Sequence, residues 1–400
     1  MLFSLEVLQA KHGDCLILHY GSADKPKLIV IDGGPSGVYT NYLKPRLIKI
    51  KEQISDRKSL SLEMVMVSHA DDDHINGIKM MTNEMVAEID NNVAEDNRMF
   101  LIKKLWFNAF DDIVGNVEIP VVASLSSDVT LSSLESLADS LLNEEDEHFA
   151  ALIASTGQGR TIRNNAETLG LVLNAGFTKL NEGKAKLVRG DQGDSWIDVS
   201  GLKIKVVHPN EQRLQELQVE WDKDLKKYSK KGDRSIILSS LTDTDKSPFN
   251  LSSIVCVVEF EGKRILLTGD GRSDDILEGL AANGFLDVNG KVHFDVVKMP
   301  HHGSIANMTA KFLQAVTADH YVFSADGKHD NPDQETLDLV AGQVTHGTLH
   351  FTNHDGGGGL RTKMDGFESR LQVNKVGVVV SYPGDGVNSS VINLLEALRY

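Results

Sequence analysis

From Ser68 to Gly77 the chain reads Ser68-His69-Ala70-Asp71-Asp72-Asp73-His74-Ile75-Asn76-Gly77, placing two imidazoles and three carboxylates in six consecutive positions. Carboxylates this close repel one another unless a cation neutralises them, and mixed nitrogen and oxygen donors suit a divalent metal. A helix-capping acidic turn would account for one Asp and for neither His. Three other short stretches carry related chemistry: Asp32-Gly33-Gly34-Pro35, Gly269-Asp270 and Pro300-His301-His302-Gly303-Ser304. The Ser304 hydroxyl suits an anion, and Lys328 with His329 could hold a phosphate or an anionic transition state.

Each of these stretches follows an apolar run. Met64 to Val67 precedes the His69 to His74 loop, Lys27 to Ile31 precedes Asp32, Arg264 to Thr268 precedes Gly269, and Phe294 to Met299 precedes Pro300. Apolar runs of this length read as buried strands, and in α/β proteins ligands gather where strands end. An acid at such a place, as Asp32 is, commonly orients a ligand histidine from behind. Residues 2–10 and 14–20 read as two strands turning at Gly13, and Ser252 to Phe260 with Arg264 to Thr268 as a hairpin about Glu261-Gly262. Residues 40–53 and the segment from Pro332 to Leu339 read as helices, and 101–107, 202–207, 347–352 and 376–382 as strands. His208, after the 202–207 strand, reads as structural, and Gly356 to Gly359 as a flexible loop. Between 111 and 248 the alternation of strand and helix is lost. The clearest element there opens with the capping box Ser132 and Glu135 and places Leu134, Leu137, Ala138, Leu141 and Leu142 on one face, a packing surface for the core or a second subunit. The chain therefore divides into a first half over 1–110, a helix-rich insertion over 111–248 and a second half over 249–400.

Four hundred residues with 41% apolar content support a normal core. No run approaches the roughly 20 apolar residues of a membrane span, and Met1 to Glu6 carries no basic leader, so a soluble cytoplasmic protein without membrane contact is expected. Cys15 and Cys256 lie in apolar runs and read as buried free thiols. A net charge of −16 excludes a broad basic groove for long duplexes. It leaves room for a small or single-stranded phosphodiester, because a metal pair supplies positive charge locally. The one basic concentration, Lys223 to Arg234, reads as a solvated helix end.

Taken in order, these motifs resemble the metallo-β-lactamase superfamily. The closer likeness is to the metallo-β-lactamase-like nuclease domains of bacterial DNA-uptake (competence) channel proteins and their soluble relatives. It is carried by Gly13-Asp14, Ile31-Asp32-Gly33-Gly34-Pro35, Ser68-His69-x-Asp71-x-Asp73-His74-x-x-Gly77, Asn250-x-x-Ser253, Leu266-Leu267-Thr268-Gly269-Asp270 and Lys298-x-Pro300-His301-His302-Gly303-Ser304. The resemblance implies an α/β fold, a four-layer αβ/βα sandwich with a helix-rich insertion and a two-metal site at one edge. His69 and Asp71 would hold one metal, Asp73 and His74 the second, Asp270 would bridge, and His302 in preference to His301 would join the second. Asp73 would orient a metal-activated hydroxide, with Asp32 and Asn250 behind the ligands.

Three departures from the superfamily pattern stand out: Asp71 replaces its middle histidine, Asn250 another histidine, and Asn331 the closing histidine before Pro332, with His329 two residues earlier. They shift the first metal position toward oxygen donors, which implies a weaker first site and favours Mn²⁺ or Mg²⁺ over a tight Zn²⁺ pair. The expected activity is a metal-dependent phosphodiesterase or nuclease acting on nucleic acid or a nucleotide. Asp73, Lys328 and His329 would be catalytic, and Ser304, Lys328 and Asn331 would contact substrate. Two alternatives are a lactone or amide hydrolase, and a component activated by a protein partner or a second copy through the 111–248 segment.

Overall fold

A computed structural model describes residues 1–54, 59–113, 147–178, 186–192, 195–217, 219, 250–374 and 377–400. The stripe from Leu134 to Leu142 and the basic run from Lys223 to Arg234 lie outside these residues. The architecture is mixed α/β. In the first sheet, β1 (Leu2–Leu8), β2 (Leu16–Ser22) and β3 (Lys25–Ile31) form an antiparallel meander. β4 (Leu60–Leu62) pairs outside this sheet, whereas β5 (Met64–Met66) extends it in parallel beside β3. β6 (Phe100–Ile102) is the partner of β4, and β7 (Leu105–Trp106) lies parallel to β5.

The second sheet has eight strands in consecutive order: β8 (Ile197–Val199), β9 (Leu202–His208), β10 (Val255–Phe260), β11 (Lys263–Leu267), β12 (Val292–Lys298), β13 (Val316–Phe323), β14 (Gly347–Phe351) and β15 (Val378–Ser381). Pairing is antiparallel as far as β11 and parallel beyond it. β16 (Ser389–Asn393) returns to the first sheet, antiparallel to β1.

Alternation along these strands divides the apolar side chains between cores. Phe3, Leu5 and Val7 of β1, Leu16, Leu18 and Tyr20 of β2, and Met64 and Met66 of β5 share one buried cluster with Cys256 and Val258 of β10 and Val296 of β12. On the other face of the first sheet, Ile17, Leu28, Val30 and Val65 pack with Leu47 and Ile50 of α1 (Lys44–Ile54) and Ile75, Ile78 and Met81 of α2 (Asp72–Asp90). On the other face of the second sheet, Val257, Phe294, Val297, Tyr321 and Phe351 meet residues of the helices that follow α3 (Glu147–Thr168). These are α4 (Ser273–Ala282), α5 (Ala310–Ala315), α6 (Gln334–Gln343) and α7 (Leu360–Asn374). Full burial of one such side chain stabilises by roughly 1.5–3 kcal/mol, so the two-residue period sets the facing of both sheets. Cys15 and Cys256 are buried free thiols.

Three local expectations change. The 101–107 run is two strands in different sheets, broken where Lys103 turns out to pair with Glu63 at 2.5 Å. Within 111–248 the expected 202–207 strand forms as β9, with Leu202, Ile204 and Val206 buried, and it pairs with β10 inside the second sheet. In the same stretch α3 packs on α2, where Gln158 Nε2 donates to Asp72 Oδ1 at 2.6 Å. The helix expected from Pro332 begins at Gln334. Finally, Gly356 to Gly358 packs backbone against backbone on the Asp326–Lys328 turn, where the Gly357 N–H donates to the Asp326 carbonyl at 2.8 Å, instead of standing free. Among the described residues no helix is long and apolar enough to cross a membrane.

Candidate metal centre

The loops at the strand ends meet. Asp32 follows β3 and occupies left-handed backbone at φ 58°. Its Oδ1 accepts the Ser68 N–H at 2.7 Å, and its Oδ2 accepts the Ser68 hydroxyl at 2.7 Å and faces His74 Nδ1 at 2.9 Å. Asp32 therefore fixes the His74 ring from behind and leaves Nε2 pointing inward, as expected for a residue that orients a ligand. Asp71 sits at the N-cap of α2 without a side-chain cap bond, so the acidic run is not spent on capping.

On the opposite side β12 delivers Pro300 to Ser304. His301 (φ 44°) and His302 (φ 55°) are consecutive left-handed residues, a conformation costing non-glycine residues of order 1–3 kcal/mol each. The backbone turn sends both imidazoles toward Asp270. His302 Nδ1 donates to the Ser324 carbonyl at 2.8 Å, and its Nε2 lies 3.2 Å from His74 Nε2. His301 Nδ1 is held by Asn307 Oδ1 at 2.8 Å and lies 3.3 Å from Asn250 Nδ2.

Asp270 is the centre of the arrangement. Its Oδ1 lies 3.3 Å from His74 Nε2. Its Oδ2 lies 3.4 Å from His302 Nε2, 3.5 Å from His301 Nε2 and 3.8 Å from His69 Nε2. Asp73 approaches His302 Nε2 at 3.4 Å and His74 Nε2 at 3.8 Å, and Asp71 approaches His69 Nε2 at 3.5 Å. Every residue expected to hold a metal thus faces one space. Both histidines of the pair are placed in it, His302 on the His74 side and His301 nearer His69.

Two participants stand among the sequence motifs without a role assigned to them there. Asp14 and Lys298 are both buried, with Lys298 Nζ 2.5 Å from Asp14 Oδ2 and 3.8 Å from Asp270 Oδ1. Asp14, His74, Asp270 and His302 each bring a donor atom within 4.8 Å of the others, a group able to hold a metal ion. Asp14, however, lies beside the Nδ1 edges of the two rings, 3.6 Å from His302 and 3.9 Å from His74. Those edges are already engaged by Asp32 and Ser324, so Asp14 serves chiefly as the counter-charge of Lys298, and Asp73 faces the Nε2 atoms. The only signal for Asp14 was its place in the Gly13-Asp14 motif.

The electrostatics match. Burial opposes charge on His74 and His302, yet the Asp270 carboxylate outweighs it and holds His74 well above the ordinary histidine value and His302 at about 9. Burial likewise opposes charge on Asp73 and Asp270, and the neighbouring imidazoliums keep both below the usual carboxylate range. Lys298 is pushed up against its burial by Asp14. Around the same space Asp14 Oδ1, His69 Nε2, Asn250 Oδ1 and Asp270 Oδ1 are buried without hydrogen-bond partners. Unpartnered buried groups cost free energy, and a cation among them removes that cost. The donor set therefore fits a divalent metal.

The remaining candidates lie at the rim. Ser304 is turned to Asp333, its Oγ 3.5 Å from Asp333 Oδ2, and Asn331 closes a turn by accepting the Gly327 N–H at 3.1 Å. Lys328 and His329 are exposed on that turn, with Lys328 Nζ 3.3 Å from His12 Nε2. Burial pushes His12 down to about 4 despite Asp73 nearby. His208 ends β9 in backbone register with Val255, and it is not part of the metal-capable group.

No known protein family and no curated protein matches the chain. Among solved structures it is similar to a protein from Parabacteroides distasonis ATCC 8503 provisionally described as a metal-dependent hydrolase. That pair is 13% identical, with 94% of this chain and 93% of the other covered and a TM-score of 0.32. A protein of unknown function from Enterococcus faecalis V583 is 11% identical over 96% of this chain and 88% of its own, with a TM-score of 0.27. Similarity at this level carries no weight for the activity.

Proposed function

We propose that the protein is a metal-dependent hydrolase, and that its substrates are phosphodiesters. The observation that carries the first step is the meeting of His74 Nε2 and His302 Nε2 at 3.2 Å in front of Asp270. Two imidazole lone pairs that close require a proton or a cation between them, and the surrounding unpartnered atoms favour a metal. On this reading the two sheets with their outer helices are the four-layer αβ/βα sandwich of the metallo-β-lactamase superfamily. His74, His302, Asp73 and Asp270 would hold one divalent ion, and His69, Asp71 and Asp270, joined by His301, a second. Bound there, such ions supply Lewis acidity and lower the pKa of an attacking water. Asp73, held ionised, can accept a hydrogen bond from that water. Asp32 and the Ser324 carbonyl keep the two Nε2 atoms aimed into the site.

Phosphodiester substrates are supported by the rim, where Lys328 places positive charge and His329 an N–H donor next to the centre in a chain whose net charge is −16. The test is cleavage of single-stranded DNA, duplex DNA, RNA and cyclic dinucleotides by metal-stripped protein after restoring Mn²⁺, Mg²⁺ or Zn²⁺. Metal-dependent cleavage is expected, reduced about a hundredfold or more by Asp73→Ala and by Asp270→Ala. Absence of cleavage of every phosphodiester by metal-loaded protein overturns the substrate class.

A further inference from the structure

We propose that His12, Lys328 and His329 form a separate anion-binding subsite for a second phosphate of the substrate, so that preferred substrates carry at least two phosphates, as a 5′-phosphorylated dinucleotide or an oligonucleotide does. This rests on the phosphodiesterase reading and extends it.

A lysine and two imidazoles from two distant loops converge. Lys328 Nζ lies 3.3 Å from His12 Nε2, and the His12 and His329 rings stand edge to face with centroids 5.9 Å apart. The carboxylates nearby each have another partner, although Asp73 and Asp326 also act on His12. Asp326 Oδ1 accepts the Lys328 backbone N–H at 3.0 Å, Asp330 Oδ1 faces Lys363 Nζ at 3.3 Å, and Asp73 faces His302. Among the described residues no carboxylate lies within ion-pair distance of Lys328 Nζ. A lysine whose side chain meets a histidine instead of an acid presents its charge outward, where a phosphate oxygen can take it.

The subsite is also built rigidly. The turn bearing Lys328 and His329 is clamped by Lys363 Nζ, which donates to the Asp330 carbonyl at 2.6 Å and the Pro332 carbonyl at 3.1 Å. It is backed by Gly356, where a Cβ would lie 1.8 Å from the Asp326 carbonyl oxygen. The turn bearing His12 is fixed by the Ser324 hydroxyl, which donates to the Gly13 carbonyl at 2.6 Å. It also rests against Asp73, since a Cβ on Gly13 would lie 1.9 Å from the Asp73 carbonyl oxygen. Ser324 thus holds both the His12 turn and the His302 ring. His74, His302 and Asp270 are buried, whereas Lys328 and His329 are exposed. A phosphate undergoing hydrolysis sits at the buried centre, and the rim meets its neighbour.

The experiment compares KM for a dinucleotide with and without a 5′-phosphate, using metal-loaded protein, Lys328→Met and His12→Gln. Inorganic phosphate binding is followed in parallel through the imidazole NMR signals of His12 and His329, and metal content is measured for each variant. The 5′-phosphate is expected to lower the wild-type KM about tenfold, with that advantage falling below about twofold in either variant. Metal content is expected to stay at the wild-type level and phosphate is expected to shift the two imidazole signals. Cleavage with a KM advantage that survives both variants overturns the subsite and leaves the phosphodiesterase reading standing. Phosphate binding that needs Lys328 and His12, with no phosphodiester cleaved, keeps the anion subsite and overturns the phosphodiesterase reading on which the substrate assignment depends.

Discussion

Two carboxylates beside one histidine pair, the buried Asp14 and the half-buried Asp73, have different duties, and substitution separates them. Asp14→Asn removes the counter-charge of Lys298, which is 1% exposed, so it should cost about 3–5 kcal/mol of stability while metal stoichiometry is kept. Asp73→Asn should lower metal affinity tenfold or more with a much smaller change in stability. Denaturant unfolding and calorimetric metal titration of the two variants check both statements, and loss of metal in Asp14→Asn would make Asp14 a ligand. Residues of this kind differ in how far the sequence shows them. His69, Asp71, Asp73, His74, Asp270, His301 and His302 were legible because each stands in a polar loop directly after an apolar run. Lys298 was not, because a lysine ending the strand Phe294 to Met299 looks like ordinary outward alternation. The approach of Asp14 from the β1–β2 turn, together with Asp270 and the Gly269 carbonyl, makes its burial tolerable. His12 was hidden for the same reason, since its partners Lys328 and His329 lie some 316 positions away.

The elements that position these side chains are strand ends joined to tight turns, and their rigidity is testable apart from the chemistry. Gly356→Ala would drive a Cβ into the Asp326 carbonyl and push away the turn carrying Lys328. The expected result is a loss of about 1–3 kcal/mol in stability and a several-fold rise in KM for phosphorylated substrates, with metal stoichiometry as in the wild type. Denaturation, steady-state kinetics and metal titration read the three quantities independently. Read as sequence, the glycine run from Gly356 to Gly359 signalled only backbone freedom, because its packing depends on a loop some thirty residues earlier. The hairpin about Glu261-Gly262 was legible, since its turn and its alternation are local. β16 and α7 were not anticipated: Ser389 to Asn393 is short and half polar, and it becomes a strand by pairing with β1.

Across the whole molecule, a buried polar knot joins β1, β2, α1 and the last residues. Glu6 Oε1 accepts from Arg46 Nε and from the Ser389 hydroxyl at 2.7 Å each, and Glu6 Oε2 accepts from His19 Nε2 at 3.1 Å. Arg46 also donates to the Tyr400 carbonyl at 2.9 Å. Burial works against the Glu6 charge, but His19 and Arg46 outweigh it and lower its pKa from 4.5 to about 2. Burial lowers the His19 pKa from 6.5, so its Nε2–H donates from a neutral ring. Both groups are depressed in the folded state. Stability is therefore full above the unfolded histidine value near 6.5, and it falls with acid, first through His19 and then through Glu6 between 4.5 and about 2. Glu6→Gln should lose about 3 kcal/mol at neutral pH and show a shallower decline in the lower window, measured by unfolding at a series of pH values.

The pairing of β1 with β16 has a further consequence for synthesis. Ser4 lies opposite Asn393 and donates to its Oδ1 at 2.8 Å, a separation of 389 positions. On the ribosome, β1 can fold onto β2 almost at once, yet its other edge stays open until Ser389 to Asn393 has emerged. An uncovered, largely apolar strand edge is a template for pairing with other nascent chains. β1 is finished long after it is made, so the period of exposure is set by the time taken to translate the 389 positions between Ser4 and Asn393 instead of by the intrinsic folding rate.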